Sequence, residues 1–260
     1  MRSILFQLGP ITIFSYGTIL ALSFVVCISL MISQRNRIGM SSQQIYDMTV
    51  WTIVGGLLGA RLTYVILHWD EFSKNLTEII MIHRGGLAFF GSYIGGAAAL
   101  TLFLKKHRLP FLKFADFFSP FVALGHAVGR IGCFMNGCCY GRPTECFFGV
   151  TFPAGSLPAS HYGLNHHIHP TQLYEFGLLI VLFIILQNVD KHKKFEGQTF
   201  SLYLILYSVI RFSMEFLRGD TRYVIPGWLT LFQSFCVVFM VIGVAIYLFK
   251  SRSHVGERST

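Results

Sequence analysis

Charged side chains are scarce in this sequence of 260 residues. They make up 13% of it, against about 25% in a typical soluble domain. Hydrophobic residues make up 53%, and the mean hydropathy is +0.57. So little polar surface excludes a disordered chain, a small disulfide-stapled domain and a soluble body that binds nucleic acid through its charge. The composition therefore indicates an integral membrane protein.

Several other sequence features are missing as well. There is no internal repeat, no low-complexity tract and no separable soluble stretch, so we expect one polytopic membrane domain over residues 1–260. The first apolar run is about 22 residues long, which exceeds the apolar region of a secretory signal, and no small-residue cleavage site follows it. We expect this run to remain as a membrane helix.

Seven apolar segments approach the roughly 20 residues that a helix needs to cross the hydrocarbon layer. The fold class that they predict is an all-α integral membrane protein with about seven transmembrane helices. Two of the segments are less regular, because one holds five glycines and the other holds Pro120. The segments are 11–33, 46–68, 79–104, 115–135, 172–188, 199–217 and 228–250.

Lys and Arg are distributed unevenly between the ends of these segments. One side, formed by 34–45, 105–114, 189–198 and the C-terminal tail, holds twelve of them. Because cytoplasmic loops are enriched in Lys and Arg, we expect the N-terminus outside, the C-terminus in the cytoplasm and the loop 136–171 outside. The net charge of +9 then suits anionic lipid headgroups and implies no nucleic acid. The other side holds six: Arg2, Lys74, Arg84, Arg142, Arg218 and Arg222.

Three arginines, Arg61, Arg130 and Arg211, lie inside predicted spans. An arginine at membrane depth is costly and by default marks a functional site. The 1.5 Å rise per helical residue places each of them roughly 18–23 Å from the cytoplasmic edge. Tyr16 and the stretch 85–93 fall in the same layer, so we expect these positions to converge in the outer half of the bilayer.

Arginine at such a depth is suited to binding a phosphate, because its planar guanidinium donates two parallel hydrogen bonds and stays charged. We interpret the layer as a site for a phospholipid headgroup. The alternative is internal neutralisation, since Arg211 and Glu215 are spaced i,i+4 on one helix face. Arg218 follows a turn later, and we expect it to reach the membrane surface and recruit anionic lipid.

Cysteines and histidines cluster in and before the loop 136–171, but their spacing does not match a strong zinc signature. There is no C-x-x-C and no H-x-x-x-H. Adjacent Cys138 and Cys139 are poorly placed to hold one ion, so we expect no metal ligand. A disulfide among these cysteines remains an alternative if that face of the membrane is oxidising. The residues are Cys133, Cys138, Cys139, Cys146, His161, His166, His167 and His169.

Six blocks closely resemble the bacterial prolipoprotein diacylglyceryl transferase family, in the order found there and over nearly the whole chain. The most specific is GRIGCFMNGCCYGRPT at 129–144. The others are SYG at 15–17, GARLTY at 59–64, GGLAFFG at 85–91, HPTQLYE at 169–175 and RFSMEFLR at 211–218.

The resemblance implies a multi-pass enzyme of the bacterial inner membrane that needs no cofactor. Such an enzyme moves diacylglyceryl from phosphatidylglycerol to the lipobox cysteine of prolipoproteins and releases glycerol phosphate. Guanidinium groups fit this chemistry, because negative charge develops on the departing phosphate. The implied catalytic residues are Arg130, Arg211 and Tyr16. The implied substrate-binding residues are Arg130, Arg61, Asn136, Gly141, Glu215 and Arg218.

The chain departs from the family pattern at three positions. Phe90 stands where many relatives have a histidine, Cys133 stands at the usual asparagine, and Cys138 stands at the usual acidic residue. Phe90 cannot move a proton, which leaves the general base open among Tyr16, His126 and Glu175.

Two other functions remain as alternatives. In the first, the three buried arginines line the path of an anion or lipid transporter, which the lack of a repeat disfavours. In the second, the chain is a paralogue that transfers a different lipid group.

Overall fold

The computed structural model describes residues 4–8, 11–73, 75–81, 85–220, 223–225 and 228–258. Four basic residues used above to infer the orientation lie outside these ranges, namely Arg2, Lys74, Arg84 and Arg222. The helices are α1 Ser15–Ser33, α2 Ser42–Leu67, α3 Trp69–Phe72, α4 Phe89–Lys106, α5 Phe111–Asn136, α6 Leu157–Tyr162, α7 Thr171–Lys191, α8 Gln198–Leu217 and α9 Leu231–Arg258. Two 3₁₀ turns span Arg35–Arg37 and Leu76–Ile80.

Six helices are long and apolar enough to cross a membrane: α1, α2, α5, α7, α8 and the part of α9 over Leu231–Ser253. The expectation of a helical membrane protein is therefore confirmed in this coarser form. α5 runs through Pro120 without a break. α4, which has 18 residues, is not among the six, so a count of seven is not reached among the described residues.

Two parts of the chain differ from the expected all-α spans. Residues 11–14, expected in the first span, form a strand. This strand, β2 (Ile11–Phe14), pairs with β1 (Ile4–Leu8). A second antiparallel pair joins β3 (Tyr223–Ile225) to β4 (Leu229–Thr230). Among the described residues of the expected span 79–104, the α-helix begins only at Phe89, and a 3₁₀ turn ends at Ile80. Gly85 and Gly86 precede it with φ of 87° and 76°, a backbone conformation that a right-handed helix does not use.

The chain divides into two compact units, Met1–Ser29 with Ala115–Thr260, and Leu30–Phe114. The core of the first unit joins α5 to α7 through Ala123, Ala127 and three leucines of α7 spaced i, i+3 and i+7. These are Leu179, Leu182 and Leu186, and their spacing places them on one helix face. α8 packs between α7 and α9, so the helices that carry Arg130, Glu175 and Arg211 share one core.

A buried carboxylate fastens the start of α8 to α5. Asp116 of α5 accepts hydrogen bonds from the backbone N–H of Gly197 at 2.8 Å and of Phe200 at 2.9 Å. Lys193 donates to the same carboxylate at 3.0 Å. The first N–H groups of a helix lack partners within the helix, and here a side chain from another helix satisfies them.

The second unit is built on close packing between α2 and α4. Gly55 and Gly59 of α2 face Gly91 and Gly95 of α4, and a Cβ added to Gly59 would lie 2.8 Å from the Gly95 Cα. A Cβ added to Gly95 would overlap the Gly55 carbonyl oxygen. Small residues allow helix backbones to approach in this way inside a membrane.

We expect Gly95→Ala to destabilise the protein by about 1–3 kcal/mol, because the new methyl group must push α2 and α4 apart. The thermal unfolding midpoint in detergent measures the effect. Gly177→Ala is the matched control, since nothing lies within 4 Å of a Cβ at that position of α7. Equal midpoints for the two variants would contradict the close packing.

Candidate active site

A buried ion pair joins α5 to α7. Arg130 Nη2 donates to Glu175 Oε1 at 2.8 Å, and the two residues are 8% and 2% exposed. His126 Nε2 lies 3.8 Å from the same oxygen. Arg130 Nε has no hydrogen-bond partner among the residues that the structure describes. Glu175 thus holds the guanidinium in position while one of its donors stays available to a ligand.

A second buried pair lies within α8. Arg211 Nη1 is 2.7 Å from Glu215 Oε2 at the i,i+4 spacing, and the Phe232 ring covers the guanidinium at 4.7 Å. Arg211 Nη2 has no hydrogen-bond partner in the described part of the chain. His126 lies within electrostatic range of both Arg130 and Arg211. The structure therefore brings these two arginines to one region of the first unit.

Arg218 is placed differently from the expectation. α8 ends at Leu217, so the polar stripe of the helix ends at Glu215. Arg218 is only 8% exposed and binds Asp220 through two hydrogen bonds of 2.9 Å. Burial lowers the pKa of Arg218, but the hydrogen bonds to Asp220 raise the pKa further, above its usual value. The side chain stays charged and inside the protein, and the expectation that it reaches the membrane surface is wrong.

The segment after α5 turns sharply and gathers three thiols. Gly137 and Cys139 have φ of 73° and 62°, and the sulfurs of Cys133, Cys138 and Cys139 lie within 4.8 Å of one another. Hydrogen bonds from Cys133 and Cys138 lower the pKa of the Cys139 thiol well below its usual range. All six cysteines are free thiols. The adjacent cysteines therefore do meet at one point, which their spacing in the sequence did not indicate.

Side chains at the start of α7 fasten this segment. Thr171 Oγ1 donates to the Cys139 carbonyl at 2.7 Å, and Gln172 Nε2 donates to the Cys138 carbonyl at 2.8 Å. Glu175, one turn later, holds Arg130. One short stretch of α7 thus positions both the thiols and the arginine. The sequence analysis missed Thr171 and Gln172 as site residues, although the HPTQLYE block contains them.

Gly141 allows the same segment to pack against the end of α8. Its N–H donates to the His169 carbonyl at 3.1 Å, and Arg142 N–H donates to the Leu217 carbonyl at 2.9 Å. A Cβ on Gly141 would lie 2.6 Å from the His169 Cβ and 3.0 Å from the Leu217 carbonyl oxygen. Only glycine fits here, and the close approach brings Arg218 and Asp220 beside the cysteine segment.

Arg61 lies in the second unit, where the chain itself uses the guanidinium. Arg61 donates to the backbone carbonyls of Ile79 and Glu78. It also donates to Gly85 and Gly86, at 2.8 and 2.9 Å. Arg61, Gly85 and Gly86 are among the residues that line a cavity of about 140 Å³. The arginine fastens the 3₁₀ turn Leu76–Ile80 and the two glycines before α4, with most of its donors already bound.

The remaining predicted positions are more open. Tyr16 of α1 is 41% exposed. Its ring lies close to Gly132, because a Cβ added to Gly132 would be 3.1 Å from the Tyr16 Cδ2 atom. Asn136 is exposed at the end of α5, and Phe90 is half-buried in α4 of the second unit. Tyr16 is within electrostatic range of Arg130 and of the cysteines, so it belongs to the same region as the ion pair on α5.

Comparison with known proteins identifies the family. A family model described as prolipoprotein diacylglyceryl transferase matches residues 3–249. A phosphatidylglycerol–prolipoprotein diacylglyceryl transferase of Clostridium tetani is 35% identical over 95% of this chain and 97% of its own length. One from Finegoldia magna is 36% identical over 95% of both chains, and one from a Nostoc species is 33% identical over 93% and 87%. The chain belongs to the prolipoprotein diacylglyceryl transferase family.

Proposed function

We propose that this chain transfers the diacylglyceryl group of phosphatidylglycerol to the lipobox cysteine of prolipoproteins and releases glycerol phosphate. A thiolate then attacks a glycerol carbon while a phosphate leaves, so negative charge grows on the phosphate oxygen in the transition state. Donors that are held in place before the reaction stabilise such charge best. Relatives that match this chain over nearly its full length are named for this transfer.

The observation that carries the proposal is the pair of buried arginines in the first unit. Each is held by its own glutamate, and each keeps one nitrogen without a hydrogen-bond partner among the described residues. Arginines that served only to neutralise glutamates inside a membrane would have no reason to present further donors to one region. We infer that Arg130 binds the phosphodiester and that Arg211 stabilises the departing phosphate, with Glu215 positioning it.

Other residues support these two arginines. Tyr16 lies within electrostatic range of the cysteine segment and of Arg130, where it can contact the reacting groups. Gly141 and Asn136 shape the segment after α5, against which a glycerol headgroup can lie. Arg218 adds positive potential from inside the protein. Within the second unit, Arg61 holds Gly85 and Gly86 in place, and its own part in substrate binding stays a prediction.

We further infer a place in the bacterial inner membrane, with seven crossings, the N-terminus outside and the C-terminus in the cytoplasm. α4 is the element that decides the count. It ends in Lys105 and Lys106, which favour the cytoplasmic side. If α4 crosses, the termini face opposite sides. If only the six longer helices cross, the termini face the same side.

Reporter fusions test this orientation. We expect a fluorescent protein that folds only in the cytoplasm to fluoresce when fused after residue 109 and after residue 258. An alkaline phosphatase fusion, which is active only outside, should be active after residue 155 and inactive after residue 109. Phosphatase activity after residue 109 would contradict a crossing by α4.

Replacing Arg130 by lysine tests the phosphate contact. Lysine keeps the positive charge but cannot donate two parallel hydrogen bonds, so we expect transfer to fall by about 10²-fold or more. The assay follows lipidation of a lipobox peptide and release of glycerol phosphate in phosphatidylglycerol micelles. Arg252→Lys, at an exposed position of α9, is the control. Near-normal transfer by Arg130→Lys with an unchanged unfolding midpoint would rule out this role.

A second series separates Arg211 from Arg218. We expect Arg211→Ala to abolish transfer, because it removes the donor to the departing phosphate. Glu215→Gln should reduce kcat and leave KM for phosphatidylglycerol within about threefold, since it loosens a positioning contact. Arg218→Ala should reduce transfer less than Arg211→Ala. An indispensable Arg218 together with a replaceable Arg211 would move the reacting phosphate to the end of α8.

A further inference from the structure

The thiols of Cys133, Cys138 and Cys139 form a group that the phosphate chemistry above does not use. Their sulfurs lie within 4.8 Å of one another. Three thiolates around one zinc ion lie about 3.8 Å apart, which follows from Zn–S bonds of about 2.3 Å at tetrahedral angles. The sulfurs therefore need to move by less than about 1 Å each to bind such an ion. They are partly buried, so a bound ion would still be reachable from one side.

Hydrogen bonds from other parts of the chain hold the backbone around the thiols in place. Cys139 has a positive φ of 62°, which is unfavourable for a side chain other than glycine, asparagine or aspartate. Hydrogen bonds from Thr171 and Gln172 secure the carbonyls of the two adjacent cysteines, and Cys138 N–H donates to the Cys133 carbonyl at 3.1 Å. Without a disulfide, the chain keeps three thiols facing one point.

The charges nearby fit an anionic metal centre. A zinc ion with three thiolates carries a net charge of −1, and a fourth thiolate makes it −2. Arg130 and Arg218 both lie within electrostatic range of Cys139. Each guanidinium is also paired with a carboxylate, Glu175 or Asp220, so each pair presents its positive end to Cys139 and adds no net charge. The positive ends of these pairs favour negative charge on the cysteines.

We propose that Cys133, Cys138 and Cys139 bind a zinc ion, and that its fourth coordination position takes the thiol of the substrate cysteine. Three protein ligands with one open position are typical of zinc sites that take part in a reaction. This replaces the expectation of no metal ligand. The second half of the proposal, the occupant of the open position, rests on the transferase function proposed above.

Zinc at this position would let the substrate thiolate form without a general base. The substrate S–H would lose its proton to water as the sulfur binds zinc, because a coordinated thiol is deprotonated. The sulfur then forms a bond to the glycerol carbon, and the C–O bond to the phosphate breaks with its electron pair on oxygen. The released glycerol phosphate takes up a proton. Nothing is oxidised or reduced.

Metal content tests the site without reference to activity. The full chain is purified in detergent, treated with a chelator, incubated with zinc and washed. We expect about one zinc ion per chain, measured by mass spectrometry of the metal, and less than a tenth of that in Cys133→Ser and Cys139→Ser. Cys146→Ser is the matched control, because Cys146 is exposed and outside the group, and it should retain the metal.

Cobalt in place of zinc tests the open position. The unsubstituted chain should show an absorption band from thiolate to cobalt, and a lipobox peptide with its cysteine should intensify it. The same peptide with serine should not. No metal uptake by the unsubstituted chain, or uptake unchanged by Cys133→Ser and Cys139→Ser, would overturn the site. A band whose intensity the cysteine peptide leaves unchanged would overturn only the proposal that the substrate thiol occupies the open position. Metal binding without transfer would count only against the proposed function.

Discussion

The cost of charge inside an apolar medium governs the arrangement of the first unit. A guanidinium or a carboxylate alone at membrane depth is strongly unfavourable, and a pair is tolerated. Arg130 on α5 therefore meets Glu175 on α7, and Arg211 meets Glu215 within α8. The first pair joins two helices, so it sets their register as well as the position of the guanidinium. Because Glu175 follows Thr171 and Gln172 by one turn, the same register fastens the segment that carries the thiols.

Close backbone approach is the second constraint, and glycine meets it in both units. Gly141 lets the segment after α5 reach the end of α8, which places Arg218 beside that segment. In the second unit, Gly91 and Gly95 let α4 lie against α2. Glycines therefore have two uses here, one in the segment after α5 and one in the packing of α2 against α4. Their spacing in the sequence does not distinguish between the two, because both uses require only the absence of a Cβ.

Hydropathy predicted most of the fold, because six helices follow from runs of apolar residues whose bounds agree with the structure within four positions, apart from the C-terminal end of α9. It failed at residues 11–14, which form a strand, and before α4, where a 3₁₀ turn ends at Ile80 and residues 85–88 are not helical. Hydropathy measures solubility in lipid and carries no information about backbone conformation. In the site, the i,i+4 spacing anticipated the pair Arg211–Glu215, but the pairing of Arg130 with Glu175 joins two distant helices. Arg218 was misplaced because its partner, Asp220, lies beyond the end of the helix.

The three arginines found in apolar segments differ in the groups that their donors meet. Arg61 meets four backbone carbonyls, and these neutral acceptors hold it in the chain. A carboxylate oxygen, in contrast, meets one nitrogen of Arg130 and one of Arg211, and Arg130 Nε and Arg211 Nη2 have no hydrogen-bond partner among the described residues. The carboxylate compensates the charge, so the remaining donors can stay buried until an anion arrives. A phosphate that enters such a site finds donors already oriented, which is the condition for stabilising charge as it develops.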